Sequence, residues 1–382
     1  MTPASTSENH NKVPWYVWSS VAAVTFAMVG VHWDISWHRS IGRDTFWTPA
    51  HIAIHLCGVL AGISCGYLVI STTFSPRSLL RECSVWVWGF RGPLGAFIAA
   101  WGGIAMLTSA PFDNWWHDAY GLDVKILSPP HMVLALGMLA VHAGALILIL
   151  GQMNRASGAL RQRLQMMFLY VGGMILVLLT VLQMEITLRI FMHTAHFYYL
   201  VAMVAPPVLA GVARASRFKW AATTVSSVYF AFVFLVGRIL PLFPAEPKLG
   251  PVYHQLIQFT PPEFPLLLII PALALDLVWQ RTAGWGTARQ ALVSGTVFLG
   301  VFAAVQWPFA NFLASPAARN WFFGTKYFGY YVAQGSLQAR FGFYGTEKGA
   351  AFWQEAALAL VTAICTTGLG LWWGNWMQRI RR

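Results

Sequence analysis

The sequence predicts an all-α protein, a polytopic membrane helix bundle of about ten transmembrane helices, and three observations carry that prediction. Of 382 residues, 57% are hydrophobic and only 10% are charged, against roughly 25% charged in an average soluble domain. The apolar residues fall into runs of about the 20 residues needed to cross a bilayer. Lys and Arg gather in alternate connections between those runs, the positive-inside pattern. A formal net charge of +12 therefore reflects topology. With no basic stripe and no binding motif, nucleic acid is excluded as a partner, and the lipid bilayer is the predicted one.

The runs place spans near residues 14–33, 49–72, 86–108, 129–151, 164–183, 192–212, 219–241, 263–280, 288–307 and 351–375. The polar N-terminus enters the first run without a small-residue cleavage site, which predicts a retained helix rather than a removed signal peptide. The basic connections carry Arg77 and Arg81; Arg155, Arg161 and Arg163; Arg214, Arg217 and Lys219; Arg281 and Arg289; and Arg379, Arg381 and Arg382. Assigning them to the cytoplasm places both termini there, in a bacterial-type inner membrane, with the other loops at the periplasmic face. Those loops are 34–47, 111–128, 243–262 and 308–350. The last is rich in aromatics and Gly ("NWFFGTKYFGYY", "RFGFYG") and is expected to be a packed cap rather than a linker. Four cysteines without a CxxC predict no disulfide framework.

One loop contains an unusual density of ligand-type residues, and it occurs twice. The stretch "DISWHRSIGRDTFWTPAHIAIH" begins at Asp34, and "DNWWHDAYGLDVKILSPPHMVLALG" begins 79 residues later, at Asp113. Asp34 corresponds to Asp113, Trp37 to Trp116, His38 to His117, Gly42 to Gly121, Asp44 to Asp123, and His51 to His131, with one extra residue in the second copy. The interval holds two spans, so this is an internal two-helix parallel repeat with both copies on one side of the membrane.

Each copy has a readable local geometry. Asp34 and His38 are four apart, as are Asp113 and His117, so on a helix each pair shares a face. Gly42 and Gly121 follow as helix terminators. Thr48-Pro49 and Ser128-Pro129 then read as an N-cap with Pro at the first helical position, putting His51 and His131 in the first turn of the next helix. Each copy gathers one carboxylate and two imidazoles, a set that suits copper, iron or zinc by ligand type. An isolated Asp or His at a helix end is usually a cap; repetition at nearly the same spacing favours metal sites at Asp34, His38 and His51 and at Asp113, His117 and His131.

Other polar residues are supporting candidates. Arg43 belongs to the scaffold between the first pair and its histidine. Asp44 and Asp123 read equally as partners that orient the histidines or as turn residues. His55, one turn beyond His51, and His142, eleven residues beyond His131, lie on the ligand side of their helices; each reads as support for a site or a proton path, or as a helix-packing hydrogen bond. His32 reads as interfacial, and the tryptophans as belt residues. Glu185, Arg189, His193 and His196 share one face if a helix continues there. They read as a Glu185–Arg189 ion pair above two packed histidines, with Glu185 also a candidate to face a metal cavity.

The pattern Asp34-x3-His38-x12-His51, with "RDTFWTPAHI" leading into a helix, resembles the copper-site motif of the C subunit of the particulate methane and ammonia monooxygenases. Asp113-x3-His117-x13-His131 resembles the neighbouring second copper site of that subunit, including its one-residue longer spacing. That family commonly has Asn where this chain has Asp113, so the chain adds a negative charge there. The resemblance covers about residues 15–220. It sets a subunit-C-like membrane domain, 1–220, apart from additional helices in 221–382 that carry the 308–350 loop.

The resemblance implies copper at one or two sites, any catalysis residing in those sites, and oxidation of a small apolar substrate with O2. It also implies other membrane or periplasmic oxygenase subunits, or a homo-oligomer, as partners. Two further functions fit the residues: copper acquisition, delivery or sensing without oxygen chemistry, and ion- or proton-coupled transport through the repeated sites.

Overall fold

The structure, a computed structural model, describes residues 12–78, 80–121, 128–184, 187–333, 335–336 and 347–382. Ten α-helices account for most of the described residues, and nine of them are long and apolar enough to cross a membrane. The chain is an all-α, membrane-spanning protein.

Helices α1 (Trp15–Ser40) and α3 (Leu94–Tyr120) run further than hydropathy predicts. The expected loops 34–47 and 111–128 begin as helix, because a helix leaving the hydrocarbon keeps its backbone paired while a hydropathy window stops at the first charges. Glycines end both runs: Gly42 has φ +84° and Gly121 φ +86°, a region that L side chains rarely adopt. The next helices, α2 (Pro49–Phe74) and α4 (Pro129–Met153), each open on Pro. Ser128 caps α4, its Oγ accepting from His131 N at 3.5 Å, whereas Thr48, in the same position before α2, gives no side-chain cap. The sequence repeat is thus a repeat of helix, glycine turn and proline-started helix.

The span expected from residue 86 starts later. Residues before it form a hairpin of β1 (Val85–Val87) and β2 (Phe90–Gly92). Trp88 and Gly89, both at positive φ, turn it, which matches the twist of paired strands.

The described residues form two compact units. One comprises Met1–Gly30, Phe46–Ile175 and Met377–Arg382. There α3 packs on α2 and α4 through glycines. A Cβ at Gly103 would lie 2.7 Å from Gly58 O, and one at Gly144 2.7 Å from Gly95 O. Bare backbone at these crossings lets the helices approach closely, as small residues do in membranes. Helix α5 (Gly158–Val181) meets α1 through Tyr170 and Thr25, whose hydroxyls are 2.7 Å apart. The C-terminal tail folds back onto the end of α4, where Asn154 Nδ2 donates to Met377 O at 3.0 Å and Ile380 O at 2.7 Å.

The other unit, Val31–Thr45 and Leu176–Trp376, holds α6 (Ala195–Ser216), α7 (Ala221–Ile239), α8 (Ile269–Arg281), α9 (Thr287–Leu313) and most of α10 (Ala350–Met377). Helix α8 has 13 residues, about 20 Å against the roughly 30 Å of a hydrocarbon core. The span expected at 263–280 is therefore a short helix preceded by extended chain rather than one continuous helix. The extended part carries Pro261, Pro262 and Pro265, which oppose helix. Its amides are satisfied from neighbouring helices: Leu266 N donates to Tyr229 Oη at 3.1 Å and Leu267 N to Gln306 Oε1 at 3.0 Å. Irregular backbone survives in a membrane protein only with such internal partners. Asp276 of α8 caps α7 from outside, accepting from Ala222 N, Thr223 N and Thr223 Oγ1 at 3.1, 2.8 and 2.7 Å.

The same unit seals the end of α1. The last carbonyls of a helix lack partners within it. Here Arg39 O accepts from Tyr330 N at 3.0 Å and Ile41 O from Lys248 N at 2.8 Å. Ser36 Oγ donates to Thr260 O, and Thr260 N to Ser40 Oγ. The described part of 308–350 is thus packed, and it braces the helix that carries Asp34 and His38.

Candidate metal centre

The second copy lies within one unit. Asp113 and His117 are one turn apart near the end of α3, and His131 is in the first turn of α4. Asp113 Oδ2 is 3.4 Å from His117 Nε2, and Asp113 Oδ1 is 3.6 Å from His131 Nε2. These distances exceed the 2.7–2.9 Å of a charge-assisted N–H···O bond. Donors about 2.0–2.1 Å from a shared tetrahedral cation stand roughly 3.3–3.4 Å apart, which matches. Asp113 Oδ1 is also buried without a hydrogen-bond partner, a costly state that a cation would relieve. His117 Nδ1 lies 3.2 Å from Gly121 O. Donation there leaves the Nε2 lone pair for a ligand, the usual arrangement of a metal-binding histidine.

The first copy repeats the motif with one addition. His38 Nε2 is 3.7 Å from Asp34 Oδ2 and 3.4 Å from Asp44 Oδ2. Ligand atoms of Asp34, His38 and Asp44 all lie within 4.8 Å of one another, two carboxylates and an imidazole that could hold a metal ion, and His51 stands in the first turn of α2. His38 bonds the Gly42 carbonyl as His117 bonds that of Gly121. The positive-φ glycines therefore do more than stop the helices: they turn a carbonyl back onto the histidine one turn earlier. Asp44, which the sequence left between two readings, stands as close to His38 as a co-ligand would.

The supporting candidates divide. Arg43 has an exposed side chain and contributes its carbonyl, which accepts from Trp37 Nε1 at 2.9 Å. Trp37 thus pins the turn, beyond the belt role read from sequence. His55 stacks on Phe46 with ring centroids 5.5 Å apart, its Nδ1 is buried without a hydrogen-bond partner, and it lies within electrostatic reach of His51 and Asp113. His142 is buried, with Nδ1 2.8 Å from Met138 O of its own helix; eleven residues put it about 16 Å along α4 from His131. It belongs to the helix interior rather than to the site.

The helix expected through 185–196 is interrupted, so Arg189, His193 and His196 share no helix face. Helix α5 ends at Val181, Arg189–Phe191 is a 3-10 turn, and Thr194 caps α6. Thr194 competes for the backbone there, its Oγ1 accepting from Phe197 N at 3.3 Å. Arg189 stands 4.0 Å from Glu263. His193 packs edge-on against Trp307, and burial holds its pKa below the ordinary value; His196 meets Tyr199. Neither is grouped with Asp34, His38 and Asp44. His32, read as interfacial, is 3% exposed and edge-on to Phe232. Asp123 and Glu185 lie outside the described residues.

Compared with protein-family models, curated proteins and solved structures, the chain finds no match.

Proposed function

We propose that this integral membrane protein binds copper at its two Asp-His sets and is a subunit, or a divergent relative of a subunit, of a copper-dependent membrane monooxygenase. The observation that carries the proposal is the duplicated geometry. An Asp and a His one turn apart end each helix, a glycine carbonyl orients the His, and a second His opens the following helix. The motif resemblance set out above selects copper and O2 chemistry. Bound copper would supply one-electron redox chemistry toward O2. The chain supplies the rest. Asp34 and Asp44 make the first set the more anionic, Asp113 makes the second a carboxylate site, and the glycine carbonyls fix the imidazole tautomers. The surrounding apolar helices admit a small hydrophobic substrate. The basic connections assign the metal-site face to the periplasm, and the C-terminal tail shares the α4–α5 face, which fits a cytoplasmic C-terminus.

The test is spectroscopic and kinetic. Protein from copper-replete membranes should give a Cu(II) EPR signal with imidazole coupling and O2 uptake dependent on an apolar substrate. Replacing His38 and His51 together by Ala should abolish the uptake. Copper that is bound but supports no uptake would instead identify an acquisition, delivery or sensing protein. One feature favours that second reading: the His38 side chain is 49% exposed, which suits a readily exchanging metal.

A further inference from the structure

The hairpin between α2 and α3 exposes aromatic rings. Trp88 at its tip is 81% exposed, Trp86 61% and Phe90 44%. Exposed apolar surface gathered in one place marks an interaction site more often than scattered single residues do. The turn sharpens the point. Trp88 has φ +50°, an outlying conformation for a bulky residue, and the Asn or Gly usual in such turns would adopt it without strain. An indole held there against backbone preference points to something outside the fold that it meets.

The hairpin is fixed against the spanning helices. Arg91 N donates to Thr73 Oγ1 of α2 at 2.8 Å, and a Cβ at Gly92 would lie 3.1 Å from Val69 Cγ2. Trp88 packs edge-on against Trp101, with ring centroids 5.6 Å apart. Trp101 is itself 52% exposed and is the eighth residue of α3, about 10 Å into a helix apolar enough to cross a membrane. The tip therefore lies along the outer flank of α3, where that helix enters the bilayer, rather than projecting beyond the helix ends.

Charge selects the occupant. Residues 74–93 carry Arg77, Arg81 and Arg91 against one carboxylate, Glu82. The Arg91 guanidinium lies 5.2 Å from the ring centre of Trp86, its partner across the strands, and its Nε is buried without a hydrogen-bond partner. Among the described residues none of the three guanidiniums makes an ion pair.

We infer that this hairpin is a docking surface for anionic phospholipid headgroups, with the indoles at headgroup level and the guanidiniums on the phosphates. Tryptophan favours that level of a bilayer, a stacked guanidinium suits phosphate, and basic groups beside a membrane attract its anionic lipids. Continuity of the tip with the exposed flank of α3 favours lipid over a protein partner.

The test titrates delipidated full-length protein in neutral detergent with phosphatidylglycerol and, separately, with zwitterionic phosphatidylcholine, and thermal unfolding reports binding. Phosphatidylglycerol should stabilise the parent saturably, at several-fold lower concentration than phosphatidylcholine. Arg91→Gln should weaken phosphatidylglycerol binding about fivefold, the effect of one basic group beside an anionic surface, and leave phosphatidylcholine unchanged. Trp88→Gly relieves the positive φ, so it should fold, and it should weaken both lipids alike. The selectivity between the lipids is the readout, because a folding defect would lower both affinities together. The inference is overturned if the two lipids stabilise the parent equally, if Arg91→Gln keeps the parent's selectivity, or if Trp88→Gly binds both lipids like the parent. A parent that self-associates in detergent and that Trp88→Gly converts to a monomer would also overturn it, by assigning the surface to a second copy of the chain.

Discussion

Replacing Gly42 by Ala should be among the more damaging single-methyl additions near the metal group, and the cost can be divided. At φ +84° an L side chain costs roughly 1–2 kcal/mol. The new Cβ would lie 2.8 Å from Tyr330 Cζ and 3.0 Å from Cε1, and closer still to the hydroxyl. Tyr330 is itself buried and held at both backbone groups, so it cannot yield freely, and overpacking adds roughly 1–3 kcal/mol. The total is about 2–5 kcal/mol. Its repeat twin has φ +86° but open space around the added Cβ, so Gly121→Ala should cost only the backbone strain, roughly 1–3 kcal/mol. Reversible unfolding in detergent, followed by Trp fluorescence, measures both. Adding Tyr330→Phe removes the nearest clashing atom and should restore about 1 kcal/mol to the Gly42 variant, a coupling that a double-mutant cycle isolates. An unchanged cost of Gly42→Ala in the Tyr330→Phe background would refute the packing argument.

Three further outcomes are expected. Asp276→Ala removes three hydrogen bonds and strands the first amides of α7, so it should destabilise by about 2–4 kcal/mol in the same unfolding assay, with Asp276→Asn milder. Gly144→Val drives a side chain into the α3 backbone and should cost about 3 kcal/mol, visible as lost thermal stability; a neutral result would mean that α3 and α4 are not in close contact. Asp113→Ala should remove metal from the second set while leaving the first set loaded, since the two sets share no carboxylate, with elemental analysis as the readout.

The fold class and the helix–turn–helix repeat were legible in the sequence, because hydropathy, glycine terminators and Pro at the first helical position act over a few residues. Contributions from distant parts of the chain were not. Asp276 and Glu263 look isolated in sequence, yet one caps a helix some 50 residues earlier and the other pairs with Arg189. The span expected at 263–280 is broken; its prolines were the available signal, while its acceptors, Tyr229 and Gln306, come from other helices. At the candidate centre, spacing grouped Asp34, His38 and His51. It could not rank Asp44, whose place depends on how the turn after Gly42 folds, and it put Arg189, His193 and His196 on one helix face that a 3-10 turn breaks.

The most direct measurement is the metal content of protein purified from copper-replete membranes, for the parent and two double variants. The account predicts about two coppers per chain, about one after His38→Ala with His51→Ala, about one after His117→Ala with His131→Ala, and none when all four are replaced. Parent protein free of metal, or a four-histidine variant that keeps the parent's copper, would contradict it.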